Sequence, residues 1–244
     1  MSATEWLSAD WPAPDRVRTL ITTRQGGVSS APYDSLNLGD HVGDLPEHVA
    51  ANRALLRAHL PAEPAWLTQV HGTAVRDAAG VRGAPEADAS FADRAGIVCA
   101  IMTADCLPVL FCDRSGTRVA AAHAGWRGLC GGVLEASAAS LAVAPQDLLV
   151  WMGPAIGPDA FEVGGEVRTA FVERQPASAA AFSPIDEGKY LADIYLLARL
   201  RLQAIGINAI YGGDFCTVID RSRFFSYRRD GRTGRMASLI WLED

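Results

Sequence analysis

The middle of the chain carries its plainest hydrophobic pattern. Residues 97–103 (IVCAIMT) and 107–112 (LPVLFC) are apolar runs of strand length, and 117–122 (TRVAAA) is a third. Between the last two, Asp113-Arg114-Ser115-Gly116 is turn chemistry and predicts an antiparallel hairpin. Residues 17–23 (VRTLITT) predict a strand that stops at Gln25-Gly26-Gly27. Residues 147–152 (DLLVWM), 207–211 and 237–242 predict further strands, and 65–70 reads as a short one ending at His71-Gly72.

Helices are marked by period and punctuation. Asp44 stands where a cap belongs for a helix beginning near Pro46, with Val49, Leu56 and Leu60 on one face and Pro61 beyond it. A second helix is expected from about 128 to 142. The best helical period spans 190–205, where Leu191, Ile194, Tyr195, Ala198, Leu202 and Ile205 form one stripe before Gly206. Residues 221–235 (RSRFFSYRRDGRTGR) read as an Arg-rich loop. Hairpins mixed with strand–helix–strand segments imply an α+β fold, a mixed sheet flanked by helices rather than a doubly wound one. With no repeat and no linker, the expectation is a single domain over 1–244, residues 1–15 being an N-terminal extension.

Composition narrows the class. At 244 residues, 49% hydrophobic and 20% charged, the chain can bury a large core and is not disordered. A net charge of −6 disfavours non-specific nucleic-acid binding, which needs a basic surface. No apolar run approaches the roughly 18 residues of a membrane span, and the opening MSATEWLSADWPAPD has no signal-peptide pattern. A soluble, reduced, cytoplasmic protein is expected.

Candidate chemistry gathers at strand ends. His71 follows WLTQV, Cys106 follows IVCAIMTAD and His123 follows RVAAA, and two imidazoles with one thiolate suit Zn²⁺ with a fourth position left open. Ordinary buried residues explain the spacing equally well. Cys106 and His123 also suit a metal-free nucleophile and base, with Asp105 or another carboxylate orienting the imidazole. Asp105 is expected to face away from the site, as a supporting or capping group, and Asp88 is a general acid/base, orients a histidine, or simply ends a loop. His41 lies in a polar turn within reach of the site, whereas His48 and His59 belong to the first helix.

Seven strings then carry a resemblance: TTRQGGVS (22–29), SLNLGDHVGD (35–44), TQVHG (68–72), TADCLPV (103–109), AAHAGWRG (121–128), GPAIG (153–157) and FFSYRRDGRTGR (224–235). In this order, from about residue 16 to the C-terminus, they resemble the YfiH family, which also carries polyphenol oxidase/laccase-domain, peptidoglycan editing factor and purine nucleoside phosphorylase labels. The resemblance implies a mixed α/β sandwich and a metal site on His71, Cys106 and His123. It implies phosphorolysis of adenosine, inosine and 5′-methylthioadenosine, and deamination of adenosine. Its alternatives are an editing hydrolase acting on UDP-MurNAc-L-serine and a copper-dependent laccase.

Counting tests the last of these. A multicopper oxidase uses on the order of ten His plus a Cys, and this chain has five His in all. Zinc is therefore the expected ion, with copper a weaker alternative. The expected partners are a small-molecule nucleoside and phosphate, with no nucleic acid and no membrane. For phosphate the candidates are Arg24, Arg127 and Arg228 or Arg229. Asn37 and Gln69 are candidates for hydrogen bonds to ribose or base, and Trp126, Phe225 and Tyr227 for stacking. A non-enzymatic zinc-binding interaction module is the remaining class.

Overall fold

The computed structural model describes residues 6–186 and 188–244. Two sheets packed face to face form its centre. The first is antiparallel, with β1 (Val17–Ile21), β12 (Met236–Leu242) and β4 (Cys99–Thr103) in that order. The second runs β11 (Ile210–Gly212), β7 (Leu148–Met152), β5 (Leu107–Asp113), β6 (Val119–Ala124), β3 (Ala89–Ala92), β2 (Val75–Asp77). Its β11–β7 and β2–β3 pairs are parallel and the rest antiparallel, so the sheet is mixed. A small antiparallel sheet of β8 (Glu162–Gly164), β10 (Lys189–Ala192) and β9 (Phe182–Pro184) lies apart.

The apolar runs are apolar throughout because both faces of each central strand are covered. Along β5, Val109 and Phe111 face a core built with α2 (Trp126–Gly131), α3 (Val133–Ser140), α4 (Gly165–Arg174) and α5 (Ile194–Ala204). The alternate residues Leu110 and Cys112 face Cys99 and Ile101 of β4 between the sheets. On the other face of β4, Ala100 and Met102 meet Leu56 of α1 (Pro46–Arg57) and Trp66. The result is a mixed α+β sandwich flanked by helices on both sides, as the pattern implies.

Several local readings are corrected. Asp44 is not the α1 cap: Leu45 holds that position, and the Asp44 carboxylate instead accepts from Ser29 Oγ and Asn37 Nδ2. The helix expected over 128–142 is two helices, broken where Gly132 takes φ +107°. The stripe beginning at Leu191 starts too early, because 189–192 is β10 and Asp193 caps α5 through the Leu196 N–H. Residues 65–70 form only isolated bridges at Ala65 and Thr68. The Arg-rich segment contains a turn of helix, α6 (Tyr227–Asp230). Of the N-terminal extension, residues 1–5 lie outside the described residues; Leu7 pairs with Ile21 at the edge of β1.

Candidate metal centre

Three segments deliver the central side chains. Cys106 occupies the link between β4 and β5, His123 is in β6 opposite Pro108, and His71 follows the extended stretch bridged at Thr68. Two of these placements use left-handed backbone in non-glycine residues: His71 itself at φ 59° and Asp105 at φ 93°. One donor atom from each of His71, Cys106 and His123 lies within 4.8 Å of the others. Cys106 Sγ stands 3.7 Å from His71 Nε2. Tetrahedral zinc with N and S ligands at its usual bond lengths separates such a pair by roughly 3.6 Å, so the donor set fits that ion. Among the described residues this is the one such group of three or more His, Cys, Asp or Glu.

Asp88, fully buried just ahead of β3, organises both histidines. Its Oδ1 is 2.8 Å from His123 Nδ1 and accepts the His71 N–H at 2.9 Å, while Oδ2 accepts the Gly72 N–H at 2.7 Å. That leaves His123 Nε2 as the ring atom available to a ligand. Burial works against the Asp88 carboxylate, but His123 and these N–H donors outweigh it and hold its pKa below the usual range. Burial likewise opposes ionisation of Cys106, yet the charge of His123 and hydrogen bonds to both imidazoles bring the thiol well below its ordinary value. His123 is held correspondingly high by Cys106 and Asp88 against the effect of burial. Without a metal both shifts favour the thiolate–imidazolium form of the pair.

The group lines a cavity of about 410 Å³ together with His41, Gln69, Met102, Thr103, Tyr227 and Arg235. A second cavity, about 270 Å³, shares Ala104, Cys106 and Tyr227 with the first and adds Trp126, Arg127, Phe161 and Arg228. The expected substrate residues thus divide. Tyr227, 61% exposed, stands between the two cavities. Gln69 lines the first, but both ends of its amide are paired with the Met102 backbone. Arg127 stacks on Trp126 and Arg228 donates to the Glu162 carbonyl.

The others lie elsewhere. Arg24 is bound to Asp34 and lines a separate surface cleft with Arg221 and Ser222. Asn37 is fully buried and spends its amide on Gly39, Asp44 and the Arg235 N–H. Arg229 is sealed against the carbonyls of Thr217, Val218 and Phe224, and Phe225 is buried behind Gly234. Asp105 turns away from the metal group, accepting from Thr217 Oγ1 and the Arg228 N–H at 2.6 Å each. Sequence reasoning missed Arg235, the arginine that lines the first cavity, because nothing local separates it from its five neighbours in RSRFFSYRRDGRTGR.

Fold and site together define a class: α+β sandwich proteins with a His₂Cys group that could hold a metal ion, placed where two sheets meet. Residues 18–243 match the family model described as multi-copper polyphenol oxidoreductase laccase, and the chain belongs to that family. It is 61% identical over 240 residues to a Pseudomonas aeruginosa protein named purine nucleoside phosphorylase, covering 98% of this chain and 99% of that one. Identity to the Escherichia coli purine nucleoside phosphorylase YfiH is 59%, covering 95% and 96%. Among solved structures, a Neisseria meningitidis protein of the DUF152 family superposes with TM-score 0.95 at 58% identity, covering 98% and 99%. YlmD from Geobacillus stearothermophilus superposes with TM-score 0.92 at 34% identity, covering 100% and 98%.

Proposed function

We propose that this protein is a zinc-dependent purine nucleoside phosphorylase, acting on adenosine, inosine and 5′-methylthioadenosine, and deaminating adenosine at the same site. The observation that carries the reading is the convergence of His71, Cys106 and His123 in the lining of a nucleoside-sized cavity, in a chain so close to relatives bearing that name. Copper is disfavoured because five histidines with one converging His₂Cys group do not make a multicopper centre.

In phosphorolysis an oxygen of phosphate bonds to ribose C1′ as the bond to purine N9 breaks, and the leaving base takes up a proton. Zinc held by His71, Cys106 and His123 would supply Lewis acidity and would bring the pKa of water on it down toward neutrality. The chain's own residues do the rest. Asp88 sets the tautomer and tilt of His123 and the backbone at His71. Trp126, Phe161 and Tyr227 line the second cavity, with Arg127 over the Trp126 ring and Arg228 over the Phe161 ring, so aromatic surface and guanidinium donors are both at hand for a purine.

The test is to incubate zinc-loaded protein with each nucleoside, with and without phosphate, and separate the products. Phosphate-dependent base release that disappears in Cys106→Ala supports the reading; no base release and no inosine from metal-replete protein overturns it. A second reading rests on the thiolate–imidazolium pair, which is also the pattern of a Cys–His nucleophile. Hydrolysis of the UDP-MurNAc-L-serine amide by metal-free protein, with nucleosides untouched, would favour it.

A further inference from the structure

The C-terminal segment holds six arginines; four have guanidinium partners, and Arg221 is exposed. Arg221 lies in the outer cleft beside Arg24, Arg223 pairs with Asp220, Arg228 donates to Glu162, and Arg229 is sealed among carbonyls and Asp230. Arg232 donates to Tyr33 and Gly43. Arg235 differs from all of them.

Its backbone is clamped on both sides: the N–H donates to Asn37 Oδ1 at 2.9 Å and the carbonyl accepts from the Leu38 N–H at 3.1 Å. Its stem lies against Gly39, where a β-carbon would come within 2.8 Å of Cγ. Nη1 donates to the carbonyls of Thr233 and Gly234. Nε and Nη2 have no acceptor among the described residues and neither is a sealed, unpaired atom, in a residue that lines the cavity. No described carboxylate is within ion-pair distance of this guanidinium. Burial works against this cation, and although the charges of Cys106 and Asp105 favour it, no described carboxylate touches it, so an oxyanion in the cavity would add a direct partner. A guanidinium with two adjacent free N–H groups fits the oxygens of one oxyanion.

We infer that Arg235 anchors the inorganic phosphate of the reaction beside the His71–Cys106–His123 group. This rests on the phosphorylase reading above. Arg235 would hold two non-reacting phosphate oxygens while a third bonds to C1′. Asn37, named from sequence as a substrate contact, is then a positioning residue that holds Arg235 at its backbone N–H.

Binding of inorganic phosphate is measured on zinc-loaded protein by ³¹P line broadening, without nucleoside, for wild type, Arg235→Lys and Arg235→Gln. Arg18→Gln, at an exposed pair with Glu243, is the control. Loss of the two-pronged contact is expected to weaken phosphate binding about tenfold in Arg235→Lys and to abolish it in Arg235→Gln. In turnover the phosphate KM rises by a similar factor, while the nucleoside KM stays within about twofold. Zinc content is unchanged in both variants. Should Arg235→Gln fail to fold, Arg235→Lys decides, since it keeps the charge and loses only the fork.

Wild-type phosphate binding in either variant overturns the anchor, even if the protein proves to be a phosphorylase. Phosphate bound through Arg235 with no base released overturns the phosphorylase reading and leaves the anchor standing. UDP displacing phosphate with at least about tenfold tighter affinity overturns the choice of inorganic phosphate in favour of a nucleotide diphosphate.

Discussion

Gly125 lies so close to His71 that a β-carbon on it would stand 2.6 Å from the imidazole Cδ2, and 3.0 Å from Cys106 Sγ. The backbone at Gly125, φ −62° and ψ 155°, is one that alanine accepts without strain. Gly125→Ala is therefore expected to fold normally and to push the His71 ring out of place. Zinc affinity should fall by about tenfold or more. A chelator-competition titration beside a thermal melt checks this, and unchanged affinity would refute it.

Asp88→Asn keeps the shape of the side chain but leaves one acceptor oxygen where His123, His71 and Gly72 now share two. Loss of such a supporting carboxylate is expected to cost about 10–100-fold in metal affinity. The same titration reads the effect, and a variant with both affinity and activity intact would show that Asp88 only stitches the loop.

The Cys106 thiol of metal-free protein, brought down to about 6, is ionised above that pH and protonated below it. Alkylation by iodoacetamide should be fast at neutral pH and fall away through about pH 6. Cys99 and Cys112, pushed up to about 12 by burial, should stay unmodified at both ends of that range. Peptide mapping by mass spectrometry distinguishes the three, and added zinc should protect Cys106. An alkylation midpoint near the ordinary thiol value would contradict the paired site.

Chelation should remove activity while leaving the melt largely intact. His123 sits in β6 and Cys106 links β4 to β5, strands packed by apolar side chains on both faces, so the frame stands without the ion. Cooperative unfolding on chelation would instead mark a structural zinc site, as an interaction module requires.

Asp113 closes the β5–β6 hairpin by accepting from the N–H groups of Thr117 and Arg118 and from the hydroxyls of Ser115 and Thr117. These donors overcome the opposing effect of burial and lower its pKa. The sign follows: its contribution is complete above the unfolded value of about 3.9 and is lost as pH falls through the lower folded value. Asp113→Ala should cost about 1–3 kcal/mol at neutral pH. Urea melts should show that gap narrowing only at strongly acidic pH; a gap that closes near neutrality would contradict the assignment.

What sequence made legible follows from burial. The strands β4, β5, β6, β7 and β12 announce themselves because residues on both of their faces lie in a core. His71, Cys106 and His123 stood out as polar ends to extended apolar segments, and the family resemblance singled out the three together. The failures have equally physical causes. The helix expected straight through Gly131-Gly132 is broken in two by the positive φ of Gly132. Apolar Leu191 suits a strand as well as a helix, and only its pairing with Glu162 and Ser183 decides. Asn37 and Arg235 are 198 residues apart, so the clamp that sets the cavity's arginine leaves no local trace.

The link from β4 to β5 through Asp105 and Cys106 carries the chain from one sheet to the other. His71 straddles the same seam: neighbouring Gln69 is paired to Met102 of the first sheet, and Asp88 ties its backbone to the second. The ion-binding group is thus a gauge of how the two sheets lie against each other. A void opened at Ile101 or Leu110, in the core between the sheets, would let the sheets slide and spread the three atoms. Zinc retention would then report the health of the core before the fold itself gave way.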